Sequence, residues 1–346
     1  MFAIREATPA DNEALLRLES ESPQGTGIAI LIDRDDYFYR SRLHDRAHIL
    51  IAEEKGKLVG VMAFAIKDVL WDGRTEPVAY FYDLRGEASY RRSMKRGLFL
   101  LWRAALEEME AAGALCVYGH VKADNHDSLS VSTKVGARVA ASFDILTLPA
   151  LRGTADTLDP HLDSLDDEVH RLESFVGPRT MRPVSLADAY VRGAELGYLD
   201  GIFRLEEGDS FAQVSAWNLS SIYRGRVLRM PMTLRVLGAV LNPLARVVPV
   251  PRIPTIGQQL AYLQLFDPVV QGPRGDRLLR QLVGRIRRYA YQNRLDIVTL
   301  FLYSDDPLAS RPRFFPQEVL HYYTMLRPLC SKEPPTPPLF LDIRDI

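Results

Sequence analysis

The chain has 346 residues, long enough for two domains, with 47% apolar and 25% charged residues and a net charge of −1. That balance excludes a dedicated nucleic-acid binder, which carries a basic excess. Two cysteines, Cys116 and Cys330, form neither a disulfide framework nor a metal-ligand spacing and fit a reducing compartment.

The opening "MFAIREATPADNEALLRL" lacks the apolar core of a signal peptide. No run reaches the roughly 18 apolar residues of a membrane span. The expectation is a soluble, cytoplasmic protein.

Residues 2–19 read as a strand, a turn at Pro9 and a helix with Asp11 near its start. "RDDYFYRSRLHD" (34–45) predicts a second helix. Residues 47–71 read as two strands around a turn at Lys55, Gly56 and Lys57, and 76–86 as a third. "SYRRSMKRGLFLLW" (89–102) then places Arg91, Arg92, Lys95 and Arg96 just before a run of large apolar residues. In the helix that follows, Leu98, Trp102, Ala105, Met109 and Ala112 share one face, and Gly113 closes it. "ALCVYGHVKA" is a strand, "DNHDSLSVSTKVG" a short helix ending at Gly136, and "ARVAASFDILTL" the last strand of this half.

Residues 150–170 are polar and acidic and read as a linker between a domain at 1–149 and one at 171–346. The second half repeats the first weakly. "VMAFAIKDVL" from Val61 matches "VSAWNLSSIY" from Val214, a shift of 153 residues. "AYFYDLRG" from Ala79 matches "AYLQLFDP" from Ala261, a shift of 182. "ALCVYGHVKADN" (114–125) matches "LDIVTLFLYSDD" (295–306). The difference implies an insert of about 29 residues near 226–257, within a stretch from Ser210 to Phe266 that has no Asp or Glu. It suits an arm packed on the neighbouring domain, or else a membrane surface or a cover for an acyl ligand.

A strand–turn–helix unit makes the basic turn an anion site. The helix N-terminus offers unpaired N–H groups and the positive end of the dipole, and cationic side chains add charge-assisted bonds. A solvated surface turn would carry the same charges.

The order of elements resembles the GNAT family, the Gcn5-related N-acetyltransferases. In that family the turn after the fourth strand, Gln/Arg-x-x-Gly-x-Gly/Ala, holds the pyrophosphate of acetyl-CoA. Here Arg92-x-x-Lys95-x-Gly97 keeps the second small residue and has Lys95 in place of the first glycine. "DNHDSLSVSTKVG" is similar to the family's Asn-x-x-Ala-x-x-x-Tyr-x-Lys-x-Gly, with Asn125, Ser128, Lys134 and Gly136 in register. Ser132 stands where the family often has the tyrosine that protonates the leaving thiolate; a serine hydroxyl is a far weaker acid.

The resemblance implies two tandem GNAT-like domains of α/β (α+β) class, each a mixed, mostly antiparallel sheet flanked by helices. It implies an N-acyltransferase moving an acetyl group from acetyl-CoA, or another acyl-CoA, to a primary amine on a small molecule or peptide. The implied cofactor contacts are Leu84, Arg85 and Gly86 through the backbone, the basic turn (Arg91, Arg92, Lys95, Arg96, Gly97), and Asn125 and Ser128. Asp83 and Ser132 are the candidate catalytic residues. Tyr82 and His120 are alternatives, and Asp83 reads equally well as an ion-pair partner of Arg85 or Arg91. No metal and no specific nucleic acid are implied. Acceptor recognition is expected in 20–45 and 66–78. The second half, with "GPRGDR" at the corresponding loop and Asp306 in place of Asn125, is expected to be degenerate. A non-catalytic acyl-CoA-binding module and an aminoacyl-tRNA-dependent transferase are the other readings.

Overall fold

A computed structural model describes residues 2–21, 28–87, 94–152, 158, 165–176, 179–222, 224–245, 247–248, 250–304, 314, 317–331, 339–340 and 342–345. The first half begins with β1 (Phe2–Glu6), α1 (Asn12–Ser20) and β2 (Ala29–Asp33). The long strands β3 (Arg46–Glu54), β4 (Lys57–Trp71) and β5 (Arg74–Gly86) follow, then α2 (Met94–Ala111), β6 (Cys116–Lys122), α3 (His126–Lys134) and β7 (Arg138–Pro149). The second half has α4 (Leu165–Val176), β8 (Arg182–Pro183), α5 (Leu186–Glu195), β9 (Leu199–Glu207), β10 (Ser210–Trp217) and β11 (Arg224–Arg229). It continues with α6 (Met232–Leu244), β12 (Gln259–Leu260), β13 (Tyr262–Gln271), α7 (Gly275–Gln292), β14 (Ile297–Tyr303) and β15 (Glu318–Pro328).

Two repeated α/β units share one 12-stranded sheet in the order β1-β3-β4-β5-β6-β15-β7-β14-β13-β10-β9, with β8 on β4. The last strands are exchanged. β15 pairs with β6, Tyr322 opposite Lys122 through Pro328 opposite Cys116. β7 pairs with β14, Ile297 opposite Pro149. Each half therefore closes its sheet with the other half's final strand, and the β7–β15 ladder joins them.

Strand alternation explains the layers. On β4, Val61, Ala63 and Ala65 face a core under α1 that includes Tyr80 and Tyr82. Met62, Phe64 and Ile66 face the other way, against Leu101, Ala105 and Met109 of α2. Those three residues recur every fourth position, are fully buried, and complete the helix face seen in the sequence. The second half repeats this with α7 on one side and α4 and α5 on the other.

Two expectations change. Residues 34–45 are not an α-helix: β2 precedes a 3-10 segment at Tyr37–Leu43, started by the Asp36 carboxylate accepting from Phe38 N at 2.9 Å. Burial of Tyr37, Tyr39 and Leu43 holds this tighter turn. The acidic stretch at 150–170 runs into α4, whose first turn holds Asp166, Asp167 and Glu168, where the helix dipole favours acids. Val169 and Leu172 of the same helix are core residues. The insert behaves as an arm packed on the neighbouring domain, as expected: β11 pairs with β2 of the first half, Arg224 opposite Asp33 through Arg229 opposite Ala29.

Candidate functional site

β5 and β6 run parallel but pair only at Ala79–Val117 and Tyr80–Tyr118. Beyond that point they part. Gly119 permits the close approach at the fork, because a Cβ there would stand 2.8 Å from the Phe81 carbonyl oxygen. On its other edge β5 is bulged: Tyr82 faces Ala63, but Arg85 faces Val61. Asp83 sits in the bulge in a left-handed conformation, φ 48°. The β6-facing edge of Phe81–Gly86 thus has no ladder partner among the described residues, a row of backbone groups free for a ligand.

A buried charge cluster fixes the bulge. The Glu19 carboxylate on α1 accepts from Arg34 Nε at 2.6 Å and pairs with Arg85 Nη2 at 2.9 Å. Asp83 pairs with Arg85 at 3.1 Å and with Arg34 at 3.5 Å. The Arg34 guanidinium also stacks on Tyr37 and Tyr39, 4.5 and 4.7 Å from the ring centroids. Burial alone would raise the Asp83 pKa, but the guanidinium groups of Arg85, Arg40 and Arg34 pull it below the usual carboxylate range. Asp83 is therefore an ion-pair partner of Arg85, as the sequence allowed, and of Arg34, which the sequence did not suggest. It stays ionised.

Beside the bulge lies a buried cluster of aromatic and polar side chains. His44 stacks on Tyr82, and Tyr80 lies 5.6 Å from Tyr82 and 5.7 Å from His120. Both ring nitrogens of His44, Nε2 of His120 and Oη of Tyr37 are buried with no hydrogen-bond partner among the described residues. Such groups are rare in proteins and mark places where a ligand or water completes the bonding. Burial pushes the His120 pKa down to about 3 and His44 well below its ordinary range, so both rings are neutral at pH 7.

The second half supplies part of this site. Thr324 of β15 lies 3.2 Å from His120 Nδ1. The 3-10 turn at Ile343–Asp345 packs under the fork: Lys67 Nζ bonds Asp342 at 2.6 Å and Asp345 at 2.7 Å. Tyr118 donates to the Asp345 carboxylate at 2.5 Å, and Tyr80 donates to the Asp345 carbonyl. Burial raises the Asp345 pKa to about 6, with Lys67 opposing and the Asp342 charge adding. Lysine within the apolar run "VMAFAIKDVLW" was the sequence signal for this contact, since a buried lysine needs a carboxylate. Its partners lie far along the chain.

The remaining predicted residues are dispersed. Leu84 and Gly86 flank Arg85 beyond the bulge, Leu84 packing toward α2. Arg91 and Arg92 lie outside the described residues, as do the side chains of Lys95 and Arg96 on the first turn of α2. Gly97 is buried, with the Phe2 ring 3.2 Å from where a Cβ would stand, so close packing on β1 is one reason for this glycine. Asn125 caps α3, its side chain accepting from Ser128 N at 3.1 Å. Ser132 is half-buried on the same helix, and no hydrogen bond or ion pair links it to Asp83.

The same fork exists in the second half, differently filled. β13 and β14 pair from Tyr262–Ile297 to Leu265–Leu300. The bulge on β13 falls at Asp267, φ 50°, since Phe266 faces Ser215 and Val269 faces Gln213. Asp83 therefore corresponds to Asp267, and the sequence alignment of these strands slips by two residues. The match of β6 with β14 holds its register, which pairs His120 with Phe301 and Tyr82 with Phe266. Phe266 and Phe301 stack across the fork with centroids 4.0 Å apart. At the start of α7, Arg274 and Arg277 both pair with Glu207.

Comparison with known proteins agrees with this architecture. Residues 13–137 match the sequence model of the acetyltransferase (GNAT) family. The chain is 29% identical over 301 residues to "Acetyl transferase GW6a" of Oryza sativa subsp. japonica, covering 77% of this chain and 68% of that protein. Two structures of Saccharomyces cerevisiae N-myristoyltransferase with bound myristoyl-CoA share the fold along nearly the whole chain. One has a TM-score of 0.58 at 10% identity, covering 94% of this chain and 78% of that one. The other scores 0.57 at 10% identity, covering 94% and 82%. Residues 13–137 are thus similar to the GNAT acetyltransferase domain, and the second half of the chain repeats the fold of the first.

Proposed function

We propose that the fork between β5 and β6 is an acyl-CoA site, and that the chain transfers an acyl group, in the simplest case acetyl, to a primary amine by direct attack. The observation that carries this reading is the fork itself. In the first half Tyr82 and His120 stand at the fork, beside buried polar atoms with no hydrogen-bond partner among the described residues, whereas the stacked rings of Phe266 and Phe301 hold those two positions in the second.

The bound cofactor supplies a thioester, an activated acyl group with a thiolate leaving group. The open edge of Phe81–Gly86 receives the amide groups of its pantetheine arm as a strand edge receives a peptide. The basic turn, Arg91, Arg92, Lys95 and Arg96, and the N-terminus of α2 receive its phosphates.

Proton handling falls to neutral groups. Asp83, clamped by Arg34 and Arg85, is too weak a base to take a proton from an ammonium, and its part is to hold the bulge. His120 is neutral, with Nε2 unpartnered among the described residues; a pKa of about 3 makes it as weak a base as Asp83, so we assign it a hydrogen bond that orients the attacking amine or a water, and the amine proton leaves to water. Ser132 offers a hydrogen-bond donor near α3 but no acid of phenol strength. That substitution, with an α3 that buries none of its residues, favours a second reading: a module that binds acyl-CoA without turnover.

The test is thiol release from a series of acyl-CoAs, from acetyl to myristoyl, with a panel of primary amines. Amine-dependent release from one chain-length class supports the enzyme. Binding without release supports the module. No binding of any acyl-CoA removes both.

A further inference from the structure

We infer that α6 docks on an anionic lipid surface. This goes beyond the acyl-transfer reading and stands without it.

Successive helical residues turn by about 100°. Met232, Val236, Val240, Leu244 and Leu237 therefore fall within an arc of about 140°, and all five are exposed. Val247, just past the helix, is 72% exposed. The opposite arc already has its partner: Leu234 packs on the small core with Ile253. There Gly238 brings the backbone so close that a Cβ would lie 3.2 Å from Ile253 Cβ. The exposed arc is thus a second apolar face on a helix whose first is satisfied, and it lines a shallow groove. Contiguous exposed apolar surface of this kind marks an interaction site.

Charge selects the occupant. From Ser210 to Phe266 the sequence has six arginines and no Asp or Glu, in a chain whose net charge is −1. Arg226 and Arg252 are engaged by Asp33 and Tyr291. Arg229 and Arg235 are exposed and have no ion-pair partner among the described residues. A two-fold contact between copies would set this patch against itself, arginine toward arginine with no carboxylate between. An anionic bilayer offers phosphate to the arginines and hydrocarbon to the valines. The helix has 13 residues, about 20 Å at 1.5 Å per residue, too short for the ~30 Å hydrocarbon core, so it lies in the interface. β11 leads into α6 and pairs with β2, which ends one residue before Arg34. Docking therefore holds a loop of the candidate site near the bilayer.

The full chain is sedimented with vesicles of equimolar phosphatidylserine and phosphatidylcholine, and with phosphatidylcholine alone. The expected result is binding to the anionic vesicles that weakens with salt. The double substitution Val236→Asp, Val240→Asp should lower it by about tenfold or more at unchanged melting temperature. As a second readout, Val240→Trp should shift its emission to the blue on adding anionic vesicles. Wild-type protein left in the supernatant, or a double variant that still pellets, overturns the inference. So does a lipid-free dimer that the double variant dissolves, which would assign the face to a second copy.

Discussion

Asp83 and Asp267 occupy the same bulge of two repeated strands, with φ 48° and 50°. Their surroundings are opposed. Asp83 faces two arginines within 3.5 Å and is ionised. Asp267 has the Tyr190 hydroxyl at 2.8 Å, and burial raises its pKa to about 7, with the Asp342 charge adding to the rise. The backbone device is kept in both halves, and the charges that surround it in the first are replaced in the second.

Asp267 therefore gives a signed pH prediction. Folded protein holds this proton up to about pH 7, while unfolded chain releases it near the ordinary value of 3.8. The stability it contributes is full below that ordinary value and is lost as pH rises through about 7, with a slope of up to about 1.4 kcal/mol per pH unit. Asp345 acts in the same sense, and His44 and His120 in the opposite one, so the difference between proteins is the readout. Asp267→Asn, which keeps an acceptor for Tyr190, should show less loss of melting temperature than wild type between pH 5 and pH 8. Parallel profiles would mean that Asp267 is ionised in the fold.

Copying the second half's plug into the first should stop chemistry and spare the fold. In Tyr82→Phe, His120→Phe, thiol release should fall by about 100-fold, in the range of a lost positioning contact. Melting temperature should hold or rise, because an unpartnered buried nitrogen is removed. Turnover within about threefold of wild type would remove His120 from the mechanism.

The cluster of Glu19, Arg34, Asp83 and Arg85 should behave as one unit. Glu19→Gln leaves two buried guanidinium groups sharing one carboxylate. The expected cost is about 3–5 kcal/mol of unfolding free energy in urea. Adding Arg34→Met should cost less than the sum of the single changes, since the members are coupled. A loss below about 1 kcal/mol for Glu19→Gln would mean that water reaches the cluster.

Lys67 ties the turn at residues 342–345 to the fork. Lys67→Met leaves Asp342 and Asp345 buried with less positive charge. Amides of that turn should exchange faster, and the melting temperature should drop for a loss of about 3 kcal/mol. Unchanged exchange would show that Tyr80 and Tyr118 hold the turn by themselves.

Much of the frame was legible in the sequence because it rests on local periodicity. β3 to β5, α2, β6 and β14 stand where apolar spacing puts them. The misread segments are those decided by distant contacts. Residues 34–45 form a 3-10 turn and not a helix, and they follow β2, which pairs with β11 nearly two hundred residues away. The bulge equivalence slipped because a left-handed aspartate leaves no periodic trace, and only the ladder shows it. Asp83 was visible as a charged residue on a strand, but Glu19 and Arg34, which decide its state, carry no pattern in the sequence. Neither do Thr324 and the 342–345 turn, which reach the first half through strand exchange.

Titrating acyl-CoA into the full chain in a calorimeter is the sharpest test of this picture. One molecule should bind per chain. Binding should be lost in Gly119→Leu, which crowds the Phe81 carbonyl at the fork, and kept in Phe266→Leu, which alters the second fork. Two equivalent sites, or one site lost only with Phe266→Leu, would contradict a single acyl-CoA site between β5 and β6.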